Sequence, residues 1–494
     1  MAQKKLTNQD RQFFKLVADA SYTNPFSDQR RQIDRQVAGV LKTEDEWRKI
    51  IPLAIDAIQK RLNKLDAQRP SRIQDFDKQD AGLMRYTFLF EVYHHHALAF
   101  DDFIVQQQQS DTPLKVPFGA AAIRELMQRG FTQEQAVRYF SMFYQIRRAF
   151  FFIDHGLIGQ SRSMRKLRMD LWNNIFTHDI RDYEQYLWDR MEDFSTLLEG
   201  PTGSGKGAAA AAIGRSGFIP YDPPKNQFAA SFTTMFLPIN LSQYAEALLE
   251  SELFGHTKGA FTGAVAEHKG VLSLCQKHGA IFLDEISDLS IPAQVKLLKV
   301  LEERIFSPVG SHETKRFYGR VIAATNRPIN TLRRENRFRD DFYYRLCSDC
   351  IQVPALTQRI QENDNELAEL VRHFTQTITG KENPQLADRV LDIIAAQLGR
   401  RYPWPGNVRE LAQCIRRVIL KRDYEGQTIQ NAPLKEQLMT GLDTGTFTAD
   451  ELLNHYCQML YDRHGTYEEV ARRTGLDRRT VKKHIITDTQ QHLK

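Results

Sequence analysis

The chain is short of cysteine, of long apolar runs and of net charge, and each shortage removes a class of protein. Its five cysteines, Cys275, Cys347, Cys350, Cys414 and Cys457, are too few and too scattered for a disulfide framework. Cys347 and Cys350 form a C-x-x-C pair, but no second pair or suitably spaced histidine completes a tetrahedral metal set, so both are expected to be small apolar residues of the fold. No segment approaches the roughly 20 apolar residues of a membrane span. The N-terminus, Met-Ala-Gln-Lys-Lys, runs into polar residues without a signal-peptide core, which predicts a cytoplasmic protein with no membrane partner. A net charge of +6 is too mild to mark a nucleic-acid binder by itself, so its distribution matters more than its sum. Internal repeats and long low-complexity linkers are also missing.

What is present is a multidomain chain. At 494 residues it is too long for one core, and about three domains are expected. Residues 1–155 are polar and aromatic-rich, with helical spacing such as Ile51, Leu53, Ile55, Ile58 and Leu62, and predict an α-helical regulatory domain. Gln106–Gln109, leading into Ser110, Asp111, Thr112 and Pro113, reads as a loop within it. From residue 156 to 356 the short apolar runs Thr196–Leu198, Phe236–Ile239, Ala280–Leu283 and Val321–Ala324 alternate with helical text, the pattern of an α/β domain with a parallel sheet covered on both faces. One helix is marked by Ser290 as N-cap, Pro292 in the first turn, and Val295, Leu298 and Leu301 on one stripe. A helical lid over 357–430, a linker over 431–449 and a basic helical end over 450–494 complete the expected organisation.

The strongest motif is Gly200-Pro201-Thr202-Gly203-Ser204-Gly205-Lys206, between an apolar strand and an alanine-rich helix. Its glycines let backbone N–H groups turn toward a phosphate, the helix N-terminus adds positive potential, and Lys206 neutralises the β- and γ-oxygens of bound ATP. Gly207 stands where a Ser or Thr hydroxyl commonly reaches Mg²⁺, which leaves Asp284, at the end of an apolar strand, as the candidate metal ligand. Glu285 beside it is the candidate base that orients the attacking water.

Two further segments point to macromolecular partners. Gly259-Ala260-Phe261-Thr262-Gly263-Ala264 mounts an aromatic ring on a tip hinged by glycines, which costs solubility unless a partner receives it. Near the C-terminus, two short helical runs flank Thr474-Gly-Leu476, with Val470 and Ala471 as inward residues and Asp477 at the start of the second run. That run carries Arg478, Arg479, Thr480, Lys482 and Lys483, a density suited to phosphate neutralisation and base contact on double-stranded DNA.

Together these motifs resemble the AAA+ activators of sigma-54 RNA polymerase, the bacterial enhancer-binding proteins. The resemblance implies a P-loop ATPase with a helical lid, a Fis-type helix-turn-helix bound to upstream enhancer DNA, and a homo-oligomeric ring, a hexamer, that remodels the closed polymerase complex. It implies that Asn240 is the switch asparagine pairing with the catalytic glutamate, that Asn326 is the first sensor, and that Arg409 is the second. It assigns Arg339 and Arg345 as arginine fingers reaching a neighbour's site, and the 259–264 loop as the grip on sigma-54. The competing reading is an AAA+ remodeller of a different protein, with the terminal helices serving interaction only.

The N-terminal region shows no phosphoryl-receiver pattern. Its densest polar text is Phe90-Glu-Val-Tyr-His-His-His96, with Asp101, Asp102, Asp154 and His155 further on. Glu91 and His94 have the i, i+3 spacing of helical carboxylate-bridged metal sites, but the matching second Glu-x-x-His is absent. Consecutive histidines point around a helix, so these residues are expected to be surface and core polar groups.

Overall fold

The computed structural model describes residues 4–40, 47–67, 69–399, 402–426, 438, 439, 442 and 447–491. The chain divides into two compact units, Met1–Tyr424 and Glu425–Lys494. At the centre of the first lies a five-stranded sheet of β1 (Thr196–Glu199), β2 (Phe236–Asn240), β3 (Ala280–Asp284), β4 (Arg320–Thr325) and β5 (Asp349–Gln352), in the order β2-β3-β4-β1-β5. Every pairing is parallel, and four of the five strands are the expected apolar runs. Alternation along the strands divides the core. Leu198, Phe282, Ile322, Ala324 and Ile351 belong to one apolar cluster, while Leu197, Ile281, Leu283, Val321 and Ala323 belong to another, so both faces are covered as a parallel sheet requires. The fifth strand, Asp-Cys-Ile-Gln, escapes sequence reading because only Ile351 of its four residues is buried.

The longer helices before the sheet are, among the described residues, α1 (Asn8–Tyr22), α2 (Asp28–Ala38), α3 (Trp47–Leu65), α4 (Lys78–His95), α5 (Ala97–Gln107), α6 (Gly119–Gln128), α7 (Gln133–Gly156) and α8 (Arg162–Phe176). The helical expectation for 1–155 holds in secondary structure, but the packing shows no break at 155. The apolar cluster that starts at Leu6 and Phe14 continues through α7 and α8 into α9 (Lys206–Gly214), the helix after the phosphate loop, and on to the sheet. In α3 the buried stripe is Ile50, Ala54, Ile58 and Leu62, whereas Leu53 is exposed. The loop foreseen at 106 begins just after Gln107, which is itself buried and donates to the Ser231 hydroxyl of the α/β segment at 3.0 Å.

The strongest tie between the two regions is Arg148 of α7. Its guanidinium is fully buried and donates to the Arg215 carbonyl at 2.6 Å and the Gly217 carbonyl at 2.7 Å, just past the end of α9. Burial draws its pKa down to about 10, so it remains charged at neutral pH. Tyr144, one turn earlier, stacks on Phe228 at 3.9 Å, and Ser141 accepts from the Tyr221 amide at 2.9 Å. Tyr221–Asp222 and Gln227–Phe228 form a small antiparallel ribbon of the α/β segment, so α7 holds both that ribbon and the phosphate-loop helix.

Beyond the sheet's other face lie α10 (Glu246–Phe254), α11 (Ile291–Glu303) and α12 (Asp340–Leu346). Ser290 is the N-cap residue of α11 and Pro292 lies in its first turn, as expected, but the inward stripe is Ala293, Leu297, Val300 and Leu301. Val295 is exposed, Leu298 is only partly buried against the core and Leu301 is buried, so the expected stripe was rotated by about a third of a turn. The lid follows as α13 (Leu356–Glu362), α14 (Glu366–Thr379), α15 (Pro384–Leu398) and α16 (Asn407–Lys421) around its own apolar cluster, which includes Trp404 and Cys414. Buried Arg359 and Glu366 pair at 2.7 Å, and the Glu366 carboxylate accepts from the Gln160 and Ser161 amides, pinning the entry segment to the lid. In the second unit, α17 (Ala449–His464), α18 (Tyr467–Thr474) and α19 (Arg478–Gln491) enclose Cys457, Leu460, Val470, Val481 and Ile485.

Arg148→Met keeps most of the apolar stem but strands two buried carbonyls, and should destabilise the first unit by about 2–4 kcal/mol. A urea titration read by aromatic fluorescence checks this; an unchanged midpoint would contradict the tie between α7 and α9.

Candidate nucleotide site and partner loop

The phosphate loop gets its shape from glycine. Gly203 and Gly205 adopt φ of 76° and 111°, where a side chain would be strained, and a Cβ on Gly203 would sit 2.4 Å from the Gly406 carbonyl oxygen of the lid. Gly205 is the N-cap of α9 and supplies no side-chain acceptor, so the first N–H groups of that helix are left for a ligand. Ser204 Oγ is buried and has no hydrogen-bond partner. Lys206 is buried, with its Nζ donating to the loop's own carbonyls, Gly200 at 2.8 Å and Pro201 at 3.2 Å. These features fit a polyphosphate, whose oxygens would replace the carbonyls as acceptors. At Gly207 a Cβ would meet nothing within 4 Å, so the position has room for a metal-binding hydroxyl and simply lacks one.

Asp284 and Glu285 end β3 opposite this loop. Glu285 has φ of 58°, a left-handed backbone rare for a residue with a Cβ and worth about 1 kcal/mol or more in strain. Its amide donates to Asp284 Oδ1 at 3.1 Å. Burial pushes the Glu285 carboxyl above its ordinary value; Lys206 opposes that shift, Asp284 adds to it, and the backbone of Asn326 opposes it. Burial also lowers the Lys206 pKa, while Glu285 and Asp284 pull it back up. The site therefore holds a lysine and two carboxylates in mutual range in a partly dry setting, the arrangement in which charge on a transferring phosphoryl group is stabilised most.

The sensors implied by resemblance fall at the same place, with two differences. Asn326, following β4, donates from Nδ2 to the Thr202 hydroxyl at 2.9 Å. The Arg409 amide contacts the Gly203 carbonyl at 3.3 Å, and its charge bears on Lys206. Asn240 pairs in register with Asp284, one residue from Glu285, but its carboxamide oxygen accepts from the Ser242 amide and hydroxyl at 3.0 and 2.7 Å. In this conformation its carboxamide oxygen caps the turn that follows β2. Asn407, not singled out in the sequence, joins lid to loop: Nδ2 donates to the Thr202 carbonyl at 3.0 Å and Oδ1 accepts from the Leu356 amide at 2.8 Å. Only its place in the Tyr402–Leu411 run could have drawn attention to it.

The two finger arginines differ. Arg339 is exposed and paired with Asp341 at 2.6 Å. Arg345 is also exposed and donates from Nε and Nη2 to the Leu301 carbonyl at 3.1 and 3.0 Å, so its guanidinium is engaged with the end of α11 in its own chain. The cysteine pair also differs from expectation, since Cys350 is exposed while Cys275, Cys414 and Cys457 are buried.

The glycine-hinged loop continues directly from α10. Gly255, Gly259 and Gly263 have φ of 81°, 81° and 102°, and the Gly259 amide donates to the Ala264 carbonyl at 2.9 Å, closing a tight tip. Phe261 is 38% exposed, with its edge toward His256 at 4.9 Å, and Thr262 is exposed; Ala264 turns inward. The base is held by the Thr257 and Val309 amides bonding the Val309 and Gly255 carbonyls. In the second unit, Gly475 at φ 71° ends α18, and Asp477 accepts from the Arg479 and Thr480 amides at the start of α19. Arg478, Arg479, Lys482 and Lys483 are exposed, but the Thr480 hydroxyl bonds Asp477 at 2.5 Å, which makes it part of the cap.

Residues 178–352 match the Sigma-54 interaction domain family and residues 361–449 match the AAA+ ATPase lid domain. Over these segments the chain is similar to proteins named as transcriptional regulators, several of them sigma-54-dependent. Its relatives include the transcriptional regulatory protein GlrR of Escherichia coli K12, 33% identical over 60% of this chain and 64% of that protein. The Nif-specific regulatory protein of Klebsiella pneumoniae is 38% identical over 53% and 43% of the two chains, and NtrC of Azospirillum brasilense 35% identical over 49% and 47%. The chain thus spans less than two thirds of the length of these curated relatives. The crystal structure of NtrX from Brucella abortus in complex with ATP covers 74% of this chain and 79% of its own at a TM-score of 0.40 and 21% identity. Among the described residues, no helix is long and apolar enough to cross a membrane.

Because its folded pKa is raised, Glu285 should take up its proton at a higher pH than an ordinary glutamate as pH falls. Carboxylate NMR of the nucleotide-free protein should show this, and Asp284→Asn should bring the midpoint down. A wild-type midpoint at or below the ordinary 4.5 would contradict the partly dry site.

Proposed function

We propose that this chain is an ATP-driven activator of sigma-54 RNA polymerase. The observation that carries the reading is the tip Gly259–Ala264, which exposes Phe261 and Thr262 on glycine hinges within the segment matched to the Sigma-54 interaction domain. The tip is joined to the nucleotide site through α10, which begins shortly after Asn240 and is tied to α11 by Glu250 and Lys296 at 2.6 Å.

In this reading ATP lies along Gly200–Lys206, with Lys206 on its terminal phosphates and Asn326 and Arg409 reporting their presence. Asp284 would hold Mg²⁺, directly or through water, and the ion when bound supplies charge neutralisation at the phosphate oxygens. Glu285 orients the attacking water and accepts its proton. Arg339 reaches the site of a neighbouring subunit in a hexameric ring, where a guanidinium stabilises the developing charge. The second unit binds upstream DNA as a helix-turn-helix, with α19 as the recognition helix and Arg478, Arg479, Lys482 and Lys483 as its phosphate and base contacts. Residues 1–155 set the activity of the ring in response to a signal, acting through the α7 contacts with α9.

Lys206→Ala should weaken ATP binding, whereas Glu285→Gln should retain ATP and hydrolyse it at least about a hundredfold more slowly. Thr262→Ala should keep substantial ATPase activity yet fail to open a sigma-54 promoter; normal opening by that variant would contradict the reading. Truncation before residue 450 should abolish the enhancer footprint while ATP binding persists, and a retained footprint would move DNA binding elsewhere.

A further inference from the structure

One group of three possible metal ligands converges among the described residues, and it lies outside the nucleotide site. His95 is the last residue of α4, and His96 follows as its cap at φ −99° and ψ 5°. Because the chain leaves the helix there, the two rings no longer fan apart as consecutive helical residues would, and their centroids lie 4.7 Å apart. Glu125 arrives from α6. Its Oε2 lies 3.0 Å from His95 Nδ1 and 3.2 Å from His96 Nε2, and the three ligand atoms lie within 4.8 Å of one another.

The neighbours exclude the alternatives suggested by the histidine run. His94 is stacked on Phe90 at 3.8 Å with its Nδ1 at the Phe90 carbonyl, Glu91 is bound to Arg129, and Asp101 to Arg147. His96 is buried and its ring is braced against Phe118 at 5.7 Å, while His95 is exposed. One ligand is thus fixed, one faces solvent, and an ion would have both an entry path and an open coordination position.

We propose that His95 Nδ1, His96 Nε2 and Glu125 Oε2 form a binding site for one divalent transition-metal ion of the Zn²⁺ class. Ligand atoms around a tetrahedral Zn²⁺ sit about 3.3 Å apart, given metal–ligand bonds of about 2.0–2.1 Å. Two of the three separations already match, and rotation of the exposed His95 closes the third. Two imidazoles and a carboxylate with a water in the fourth place suit Zn²⁺, Co²⁺ or Ni²⁺ better than Mg²⁺ or Ca²⁺, which prefer oxygen. The site spans α4 and α6, and the N-terminus of α6 abuts the ATPase ribbon: a Cβ on Gly119 would lie 2.5 Å from the Tyr221 hydroxyl, and the Val116 amide donates to the Asn226 carbonyl at 2.9 Å. An ion there clamps two helices of the N-terminal region beside the ATPase segment. The assignment does not depend on the reading of the nucleotide site.

The full-length chain, stripped with chelator and free of nucleotide, is titrated with Co²⁺ alone and then with Zn²⁺ in competition with a chromophoric chelator. The proposal predicts one high-affinity equivalent, visible d–d absorption without thiolate charge transfer, and a loss of affinity of at least about tenfold in each of His95→Ala, His96→Ala and Glu125→Gln. Cys347→Ser with Cys350→Ser should leave that equivalent in place. His95 and Glu125 are not core residues, so their variants decide the matter even if His96→Ala misfolds. Sulfur charge transfer, the absence of any binding below about 100 μM metal, or wild-type affinity in His95→Ala and Glu125→Gln would overturn the assignment.

Discussion

The site depends on how closely the lid approaches the phosphate loop. Gly203 lets the lid's Gly406 carbonyl and Arg409 Cβ come within 2.4 and 2.9 Å of where its own Cβ would be, and Asn407 bonds the Thr202 carbonyl. Any side chain at residue 203 would push the lid away. The loop therefore cannot change shape on binding or losing a phosphate without the lid feeling it, and the same holds in reverse. Asn407, with φ of 53°, also holds the Leu356 amide, so the contact reaches the first lid helix.

The opposite end of α9 is held from the N-terminal side. Arg148 fills the two carbonyls past the helix, and no gap in the apolar core separates the region expected to receive a signal from the helix that carries Lys206. Helices α7 and α9 thus share one packed body, in which a shift of one is a shift of the other. Close-packed interiors transmit such displacements because they have few voids to absorb them. At the carboxyl ends of neighbouring strands Asn240 and Asp284 lie in register, and α10 leads from there to the exposed tip at Phe261.

How much of this could be read in the sequence follows physical lines. Four strands and the phosphate loop were legible because buried parallel strands read as short apolar runs and because glycine at residues 203 and 205 serves a local backbone need. The fifth strand was not, since a sheet edge with one buried side chain has no hydrophobic signature. Arg345 shows a limit of reading motifs: the Leu301 carbonyl that its guanidinium bonds lies 44 residues away in the chain. Glu125 shows the same limit at the histidine run, where the missing ligand comes from another helix. The inward stripe of α11 was misjudged because Val295 looks like a core residue and only the tertiary contacts show that it is not.

On the proposed function, phosphoryl-transfer chemistry at Lys206 and Glu285 controls what Phe261 and Thr262 can hold. Sedimentation of the purified chain with isolated sigma-54, in ATP, in ADP and in ADP with aluminium fluoride as a transition-state mimic, tests it most directly. The account predicts a stable complex only with the transition-state mimic, lost in Phe261→Ala and retained when residues beyond 449 are removed. Equal binding without nucleotide, or undiminished binding by Phe261→Ala, would contradict it.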